Sequence, residues 1–553
     1  MSVRQSLLAR LRNRIAAESS VRQWRRSLFP LRAAIAPPPQ RSVLFCNLMT
    51  MPSTAKVESL MAGLLRLKGY RTRVLLERPD RPIEGIFRAA APEADFLYRE
   101  EGIGLADREQ ARQAAQCIMA ELPNLQALVR LEIDGFRIGR NVQSIVLRKF
   151  RVGRLDDADP QHRAATLNTL AESLATKSFV QRLLKEDRPD TAIFIERGYT
   201  PAGEIFDGCI MGGVDVVQWC GAPQSDCLIY RRYNTETRGE HPLALSDEMW
   251  RKLLEMPWSA QDDAALVERI ATNYESGAWY NRQQLQEGKR VIAADNVRRM
   301  VALDPEKKTA IIFCHILYDA TFFYGDSLFD DYEQWMVETV RAAIANPQLN
   351  WIIKVHPVNV WRSKMDGAPL VQLEAETLRR HFGVLPDHVK ILPADTAINT
   401  FSLFDVADYG LTVRGTIGME LPCFGIPVVT AGTGRYSGRG FTIDPASRAE
   451  YAAVIAHLHE VPRLDAASIR RARLHYYGAL NLRPVPMRSF MLESPIGATS
   501  GPAPGVTLSH RADVSLLDTD DLGRLVTWLS ESRAPELLAR DLPAVAPLHA
   551  SSG

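Results

Sequence analysis

The sequence is poor in the features that mark secreted, zinc-binding or membrane-spanning chains. Its seven cysteines are odd in number, lie scattered through apolar stretches and include no C-x-x-C pair. This distribution favours reduced thiols and argues against a zinc knuckle. No apolar run approaches the roughly 18 to 20 residues that cross a bilayer. The N-terminus also lacks the continuous apolar core of a signal peptide, so we expect a cytoplasmic protein.

The sequence also has little net charge. Its 67 Lys and Arg residues against 65 Asp and Glu residues give +2, and we therefore expect no nucleic-acid partner. At 553 residues the chain exceeds what one hydrophobic core usually supports, which predicts at least two domains.

Charge is nevertheless concentrated at one end. Residues 1–40 contain eight arginines against one acid, Glu18, and close with a proline run. The apolar residues that fall at helical spacing are Leu7, Leu8, Leu11 and Ile15. A helix with one apolar and one basic face is typical of a segment lying on an anionic membrane. The alternative is a terminal helix that packs on its own domain.

From Arg41 onward, apolar strands alternate with amphipathic helices, which predicts a sheet domain over 41–235. The segments interpreted as strands are "SVLFCNL", "RTRVLLE", "ALVRLEIDG", "TAIFIERG" and "VDVVQWC". Residues 236–300 show helical patterns rich in Trp, Tyr and Glu and are interpreted as a connector. The stretch "YRRYN", Tyr230 to Asn234, is interpreted as a hinge, with an anion-binding role as the alternative.

A second alternation predicts another sheet domain over 301–465, followed by C-terminal helices and a tail over 466–553. Its strands are "KTAIIFCHI", "NWIIKVHP", "HVKILP", "DYGLTV" and "IPVVTAG". Strands separated by helices indicate parallel sheets covered on both faces. The predicted fold class is therefore α/β, with two doubly wound Rossmann-like domains that face a cleft.

Ligands of such sheets gather at the carboxyl ends of the strands. There the stretch "IIKVHPVN" places Lys354 and His356, while Pro357 stops the strand and fixes the turn. A lysine and an imidazole at this point suit an anion. The alternative is that His356 only caps a neighbouring carbonyl.

The stretch "YGLTVRGTIGMELPCFGIPVVTAG" predicts a strand, a tight turn at Arg414 and Gly415, and a short helix capped by the Thr416 hydroxyl. Free amides at such a helix start, together with Arg414, favour a phosphate. Glu420, one turn later, is placed to accept hydrogen bonds from ribose hydroxyls. The alternative is a capped structural helix.

The next loop, "TGRYSGRGFTIDP", is rich in glycine and carries Arg435, Ser437 and Arg439. We interpret it as a flexible cationic loop that folds over an anionic donor, with an ordinary surface loop as the alternative. Its glycine spacing matches neither a dinucleotide fingerprint nor a P-loop. No D-x-D carboxylate pair is found at a strand end, and cationic groups can neutralise a departing phosphate. We therefore expect no metal site.

The combination of "KVHP", "TVRGTIGMELPCFGIPVV", "GRYSGRGFTIDP" and "FCHILYDATFFYGDSLFDDYEQW" resembles bacterial capsular and surface polysaccharide biosynthesis proteins of the Kdo-transferase type. More remotely it is similar to CDP-glycerol glycerophosphotransferases. The close resemblance covers roughly residues 305–465 and implies a GT-B-like glycosyltransferase.

The resemblance also implies roles for particular residues. His356 and Pro357 would contact the donor phosphate, and Thr416, Gly418 and Glu420 would stand at the phosphate and ribose contacts. Cytidine-linked donors such as CMP-Kdo are the substrates it implies, with a glycan or lipid-linked glycan as acceptor. No further cofactor is expected.

Transfer also needs a group beside the acceptor hydroxyl. Glu196 in "FIERGYTP" is the preferred candidate, and Asp134 in "LEIDGF" is the alternative that instead makes a turn. The loop after the strand ending at His315 places Asp319 and Tyr324 toward the cleft. Its aromatic residues Phe322 and Phe323 are expected to pack in a core.

Three functions remain open at this point. The first is a glycosyltransferase of surface polysaccharide synthesis at the cytoplasmic face of the inner membrane. The second is a phosphotransferase that moves glycerol phosphate or ribitol phosphate from a CDP donor. The third is a non-catalytic assembly subunit, while a nucleotide-sugar epimerase would need carboxylates that the sequence does not locate.

Overall fold

Two large sheets, one mainly parallel and one wholly parallel, organise the chain, and the predicted fold class is confirmed. The computed structural model describes residues 3–276, 285–286, 288–367, 369–492, 505–510 and 512–541, with the backbone alone described over 3–14 and 365–366.

The N-terminal segment forms two helices, α1 (Val3–Ser27) and α2 (Phe29–Ala33). The first sheet domain then contains β1 (Arg41–Cys46), α3 (Pro52–Leu67), β2 (Tyr70–Leu76), α4 (Arg81–Ala90), β3 (Asp95–Tyr98), α5 (Arg99–Gly102), α6 (Leu105–Glu121), α7 (Ile138–Phe150), α8 (Pro160–Glu186), β4 (Thr191–Phe194), α9 (Ala202–Met211), β5 (Asp215–Gly221) and β6 (Cys227–Tyr233). The connector contains α10 (Asp247–Glu255), α11 (Ala260–Glu275) and α12 (Ala294–Val301).

The second sheet domain contains β7 (Thr309–Phe313), α13 (Tyr332–Ala345), β8 (Asn350–Lys354), α14 (Val358–Asp366), α15 (Leu373–Phe382), β9 (Val389–Leu392), β10 (Tyr409–Thr412), α16 (Ile417–Glu420), β11 (Val428–Thr430) and α17 (Arg448–Ala456). The C-terminal segment adds α18 (Ala466–Tyr477), β12 (Val485–Pro486), β13 (Phe490–Leu492), β14 (Val506–Leu508) and α19 (Leu522–Glu531).

The second sheet repeats the order of β5-β4-β1-β2-β3 in the first. The first runs β12-β6-β5-β4-β1-β2-β3, in which β6 is antiparallel to both of its neighbours, and the second runs β11-β10-β7-β8-β9 with every pair parallel. In both, the order reverses beside the first strand, so loops at the carboxyl ends diverge there and leave a crevice. The strands of the second sheet are almost wholly buried, which fits their continuous apolar runs.

The C-terminal segment returns to the first domain, which the sequence did not indicate. Strand β12 pairs with β6, and Val485, Phe490 and Trp528 belong to the same hydrophobic core as β1 and α3. Part of the first domain is therefore built from residues that follow position 484.

The N-terminal segment is helical as predicted, and its end packs on its own domain. Leu28 and Leu31 are fully buried, and Trp24 Nε1 donates to Ser59 Oγ over 3.0 Å. Ile15 is exposed. The side chains of Leu7, Leu8 and Leu11 lie outside the described residues.

Two local predictions were wrong. The stretch "ALVRLEIDG" contains a 3-10 helix, Leu125–Arg130, because Asn124 Oδ1 accepts from the Ala127 amide and so starts a helical turn where a strand was expected. The stretch "YRRYN" is mostly strand β6 and not a hinge. Its arginines can be buried there because Arg231 pairs with Glu240 and Arg232 with Asp215.

Candidate active site

A cavity of about 380 Å³ opens at the carboxyl ends of β7, β8 and β10. Connector residues cover it from the other side. The candidate residues that it brings together are Lys354, His356, Pro357, Arg414, Gly415, Thr416, Glu420 and Arg435. The lining residues that sequence patterns did not single out include His241, Tyr274, Gln286, Thr400 and Thr412. Glu196, Gly418 and Ser437 are not part of its wall.

Lys354 and His356 stand at the end of β8. Lys354 Nζ is buried and donates to the Val355 carbonyl over 2.9 Å, and no carboxylate of the described residues lies within 4 Å of it. Burial, aided by the charge of Lys289, lowers the pKa of Lys354 to about 7. His356 Nδ1 accepts from the Val358 amide over 3.2 Å, so Nε2 carries the ring proton. Burial lowers the pKa of His356 to about 3, which leaves a neutral hydrogen-bond donor at the cavity.

Arg435 is the least satisfied charge in the cavity wall. It follows β11, is only 9% exposed, and donates through one nitrogen to the Arg414 carbonyl over 3.4 Å. Its Nε and Nη1 are buried and have no hydrogen-bond partner among the described residues. Within those residues no carboxylate lies within 4 Å of the guanidinium. A buried cation left in this state costs free energy, so an anion is expected beside it.

Arg414 lines the same cavity but already has partners. Its guanidinium donates to the carbonyls of Gly325 and Asp326 over 2.9 and 3.2 Å. Arg414 therefore fixes the loop between β7 and α13, which is a role that the sequence did not indicate.

The predicted cap at Thr416 was wrong. Thr416 has helical dihedral angles and makes no cap hydrogen bond, because the chain has already entered the helical conformation there, and α16 is only four residues long. The amides before it turn toward other acceptors: Val413 and Arg414 donate to His315 Nε2 over 3.2 and 3.3 Å, and Gly415 donates to Thr412 Oγ1 over 3.2 Å. These three amides are not free for a phosphate.

His315 therefore stabilises this turn, since its Nε2 accepts from the Val413 and Arg414 amides. Its ring stacks on Tyr332 with centroids 4.4 Å apart. Burial and the charge of Arg414 lower the pKa of His315 well below its usual range. A neutral ring with Nε2 as acceptor is what the two donated amides require.

Glu420 is fully buried at another part of the wall. Its Oε2 accepts from the Tyr274 hydroxyl over 2.7 Å, while its Oε1 has no hydrogen bond of ordinary geometry within the described residues. Burial raises the pKa of Glu420 to about 7. Tyr274 belongs to α11, so the connector contributes to the site.

Gly418 serves packing. A Cβ atom there would lie 2.0 Å from Tyr436 Oη, which donates to the Gly415 carbonyl over 2.8 Å. Gly418 therefore allows the tyrosine to brace the turn.

The glycine-rich loop after β11 is bound down along its length, so the prediction of a flexible loop was wrong. Ser437 Oγ accepts from the Gly434 amide over 2.8 Å, and Arg439 donates to Asp247 and to the Leu245 carbonyl, each over 2.7 Å. These contacts hold the loop against the connector because its polar groups find partners there.

Asp319 joins the cavity to the first domain. Its Oδ1 accepts from the Tyr199 hydroxyl over 2.9 Å and its Oδ2 from Arg362 over 2.6 Å. Phe322 and Phe323 are buried as expected, and Phe323 packs on Tyr199 with ring centroids 4.9 Å apart. The loop after β7 is therefore part of both domains.

Glu196 follows β4 in the first domain and is not part of the cavity wall. Its Oε1 accepts from the Arg197 amide over 2.9 Å. The pKa of Glu196 is raised to about 7, chiefly by burial. Among the smaller effects, the charge of Arg148 lowers this pKa and the charge of Asp319 raises it, so both side chains are close to Glu196. Asp134, the alternative, occupies an exposed turn at φ 51° and pairs with Lys177.

In the part of the chain that the structure describes, no group of three or more His, Cys, Asp or Glu side chains could hold a metal ion. Over the same residues, no helix is both long enough and apolar enough to cross a membrane.

The sequence matches no family model and no curated protein. Solved structures are similar in outline. They include KpsC, a beta Kdo 2,4 transferase of Thermosulfurimonas dismutans, at 14% identity over 58% of this chain and 85% of that one, with a TM-score of 0.32. A UDP-GlcNAc 2-epimerase of Neisseria meningitidis bound to UDP-GlcNAc is 11% identical over 79% and 96%, with a TM-score of 0.27. Anabaena HepE in complex with UDP and glucose is 12% identical over 80% and 95%, with a TM-score of 0.24.

Proposed function

We propose that this protein is a glycosyltransferase of capsule or surface polysaccharide synthesis that takes its sugar from a nucleotide-activated donor, a CMP-sugar such as CMP-Kdo. The observation that carries the proposal is the buried guanidinium of Arg435, with two unpartnered nitrogens in the wall of a cavity at the strand ends. A ligand phosphate would supply the missing acceptors. The motif resemblance supplies the sugar chemistry and the cytidine.

The residues of the wall suit the departing nucleotide. When the bond between the anomeric carbon and the phosphate oxygen breaks, negative charge grows on that oxygen. Arg435 is a buried cation in this wall, and an anion beside Lys354 would favour the charged form of its amine. His356 can donate from Nε2. Fixed charges and donors in a dry site lower the barrier without a bound metal, and we propose metal-independent transfer on that basis.

The acceptor hydroxyl must lose a proton as its oxygen bonds to the anomeric carbon. We assign this proton to Glu196, whose pKa of about 7 suits a general base at neutral pH. Glu196 follows β4 of the first domain, and the charge of Asp319 acts on its carboxyl group, which supports this assignment. The acceptor in this proposal is a glycan or a lipid-linked glycan.

We propose in addition that the enzyme works at the cytoplasmic face of the inner membrane, held there by residues 1–40. Arg22, Arg25 and Arg26 on α1 are exposed, as are Phe29 and Ile35 next to them. Exposed cations beside exposed apolar groups suit an anionic lipid surface.

The test begins with a thermal-shift screen of the purified protein against CMP, CDP, UDP, GDP and ADP, because a ligand that binds the folded state raises its apparent stability. We expect stabilisation by CMP that disappears in His356→Ala and survives in His457→Ala, an exposed histidine outside the cavity. Retained turnover of donor by His356→Ala would refute its assignment.

Donor turnover then separates the remaining functions. Transfer of labelled sugar with release of CMP supports the proposal, while a phosphate that travels with the transferred group indicates a phosphotransferase. Stabilisation by UDP or GDP alone rejects the cytidine donor, and no response to any nucleotide favours a non-catalytic subunit.

A further inference from the structure

Tyr274 reaches the cavity from the connector and is held firmly there. Its ring packs beside Phe401 and Phe404, with centroids 5.9 and 5.6 Å away. Its carbonyl accepts from Asn399 Nδ2 over 2.9 Å. The hydroxyl of Tyr274 then donates to Glu420 Oε2 over 2.7 Å, which fixes the rotation of the carboxyl group.

The other oxygen of Glu420 meets no donor at ordinary hydrogen-bond geometry. Oε1 is buried and Glu420 lines the cavity, and among the described residues the Thr416 hydroxyl is near enough to the carboxyl group to lower its pKa without making such a bond to Oε1. A buried acceptor without a donor costs free energy until a ligand supplies one. Phe313, Leu285 and Ile417 line the cavity as well, and such an apolar surface suits a nucleobase. A ribose hydroxyl between base and phosphate is the donor that this arrangement fits.

We propose that Tyr274 is a positioning residue that presents Glu420 Oε1 to a ribose hydroxyl, so that the connector helps to select ribonucleotides over deoxyribonucleotides. The proposal rests on the proposed function, since it requires a nucleotide in the cavity. Tyr274 acts through Glu420: without the phenol the carboxyl group can turn away, and the ribose loses its acceptor. The connector is then part of the specificity of the site.

The test compares the affinities of CMP, 2′-deoxy-CMP and 3′-deoxy-CMP by isothermal titration calorimetry. The wild type is expected to bind CMP about tenfold more tightly than at least one of the deoxynucleotides, the size of one hydrogen bond to a charged group. Tyr274→Phe removes a single oxygen atom and keeps the ring packing. This variant is expected to bind CMP more weakly and to bind the deoxynucleotides with unchanged affinity. The ratio of the affinity for CMP to that for the discriminated deoxynucleotide then falls below about threefold.

Tyr451→Phe is the matched control, because the Tyr451 hydroxyl is also buried and hydrogen-bonded, to Trp335 and Thr339, away from the cavity. It should keep the wild-type ratio. If Tyr274→Phe lowers the affinity for all three nucleotides equally, Tyr274 has only a structural role and the inference is overturned.

A wild type that binds CMP without discriminating against the deoxynucleotides overturns the inference and leaves the proposed function standing. If only UDP binds in the screen, the same comparison with 2′-deoxy-UDP and 3′-deoxy-UDP decides it. No binding of any nucleotide rejects both proposals.

Discussion

The hydroxyl of Tyr199, in the first domain, donates to Oδ1 of Asp319, in the second, over 2.9 Å. The same hydroxyl accepts from the Ala320 amide over 3.3 Å, and Arg362 binds the other carboxylate oxygen. Arg362 belongs to α14, the helix that begins just after His356 and Pro357. One tyrosine hydroxyl thus connects the first domain to the element that carries the candidate phosphate contact.

Removing this hydroxyl should loosen the loop after β7. For Tyr199→Phe we expect amide hydrogen exchange over residues 316–331 to quicken roughly fivefold, the effect of losing a hydrogen bond worth about 1 kcal/mol. Tyr98→Phe is the control, since the Tyr98 hydroxyl donates to Glu84 over 3.1 Å within the first domain. Equal exchange over 316–331 in the two variants would contradict a link through Tyr199.

Replacement of Arg435 and of Arg414 by methionine should change the free energy of unfolding in opposite directions. Arg435→Met removes a buried cation that lacks acceptors, so we expect the free protein to gain about 1 kcal/mol or more of unfolding free energy and to lose its stabilisation by nucleotide. Arg414→Met leaves the Gly325 carbonyl without a donor and takes one of two donors from the Asp326 carbonyl, and it should cost ~1–3 kcal/mol.

Urea denaturation of the two variants, with and without CMP, measures both effects. Destabilisation of the free protein by Arg435→Met would show that its guanidinium has partners and would remove the main support for a phosphate site.

Stability should depend on the protonation of Glu204, which lies away from the cavity. Glu204 is fully buried and accepts from Ser173 and Thr200, and burial raises its pKa to about 7 against an ordinary value of 4.5. A raised folded-state pKa gives stability that is fully present below pH 4.5 and is lost as pH rises through about 7. The glutamine in Glu204→Gln cannot titrate. Between pH 5 and pH 8 the wild type should therefore lose on the order of 2 kcal/mol of unfolding free energy relative to the variant.

Urea denaturation at pH 5, 6, 7 and 8 gives the comparison for wild type and Glu204→Gln. Parallel pH profiles would mean that Glu204 is ionised throughout the range.

The contact between Gly418 and Tyr436 can be tested with a double-mutant cycle. Gly418→Ala would place a Cβ atom 2.0 Å from Tyr436 Oη, and we expect it to cost roughly 1–3 kcal/mol. In the background of Tyr436→Ala the added methyl group no longer meets the hydroxyl or the ring carbons of the tyrosine, so the cost should fall by at least half. Additive losses in the two single variants would exclude this contact as the cause.

The sequence predicts the parts of the site that lie next to strands. Lys354, His356 and Glu420 are found in one cavity because strand ends in parallel sheets meet at one edge, and a strand end is readable from its apolar run. Tyr274 could not be found in this way, since it lies on a helix 146 positions from its partner Glu420 and nothing in its own spacing sets it apart. Tertiary contacts alone place it there.

The wrong predictions at Thr416 and in β6 have a related cause. At Thr416 the residue type suits a cap, but His315, about a hundred positions earlier, accepts the amides of the turn and changes its geometry. In β6 the arginines look solvated until Glu240 and Asp215 are seen beside them. In each case the deciding partner lies outside the segment itself, 9 and 17 positions away for Arg231 and Arg232 and 98 or 99 positions away for the amides that His315 accepts.

The return of β12 and α19 to the first domain has a consequence for how the protein is made. A ribosome delivers residues from the N-terminus, so the sheet that begins at β1 waits for its last strand until nearly the whole polypeptide has emerged. Meanwhile the edge of β6 and the apolar surface that receives Trp528 remain uncovered in the nascent chain. Expression of residues 1–465 alone would keep them in that state, so a fragment that contains the first domain has to extend through α19 to cover them.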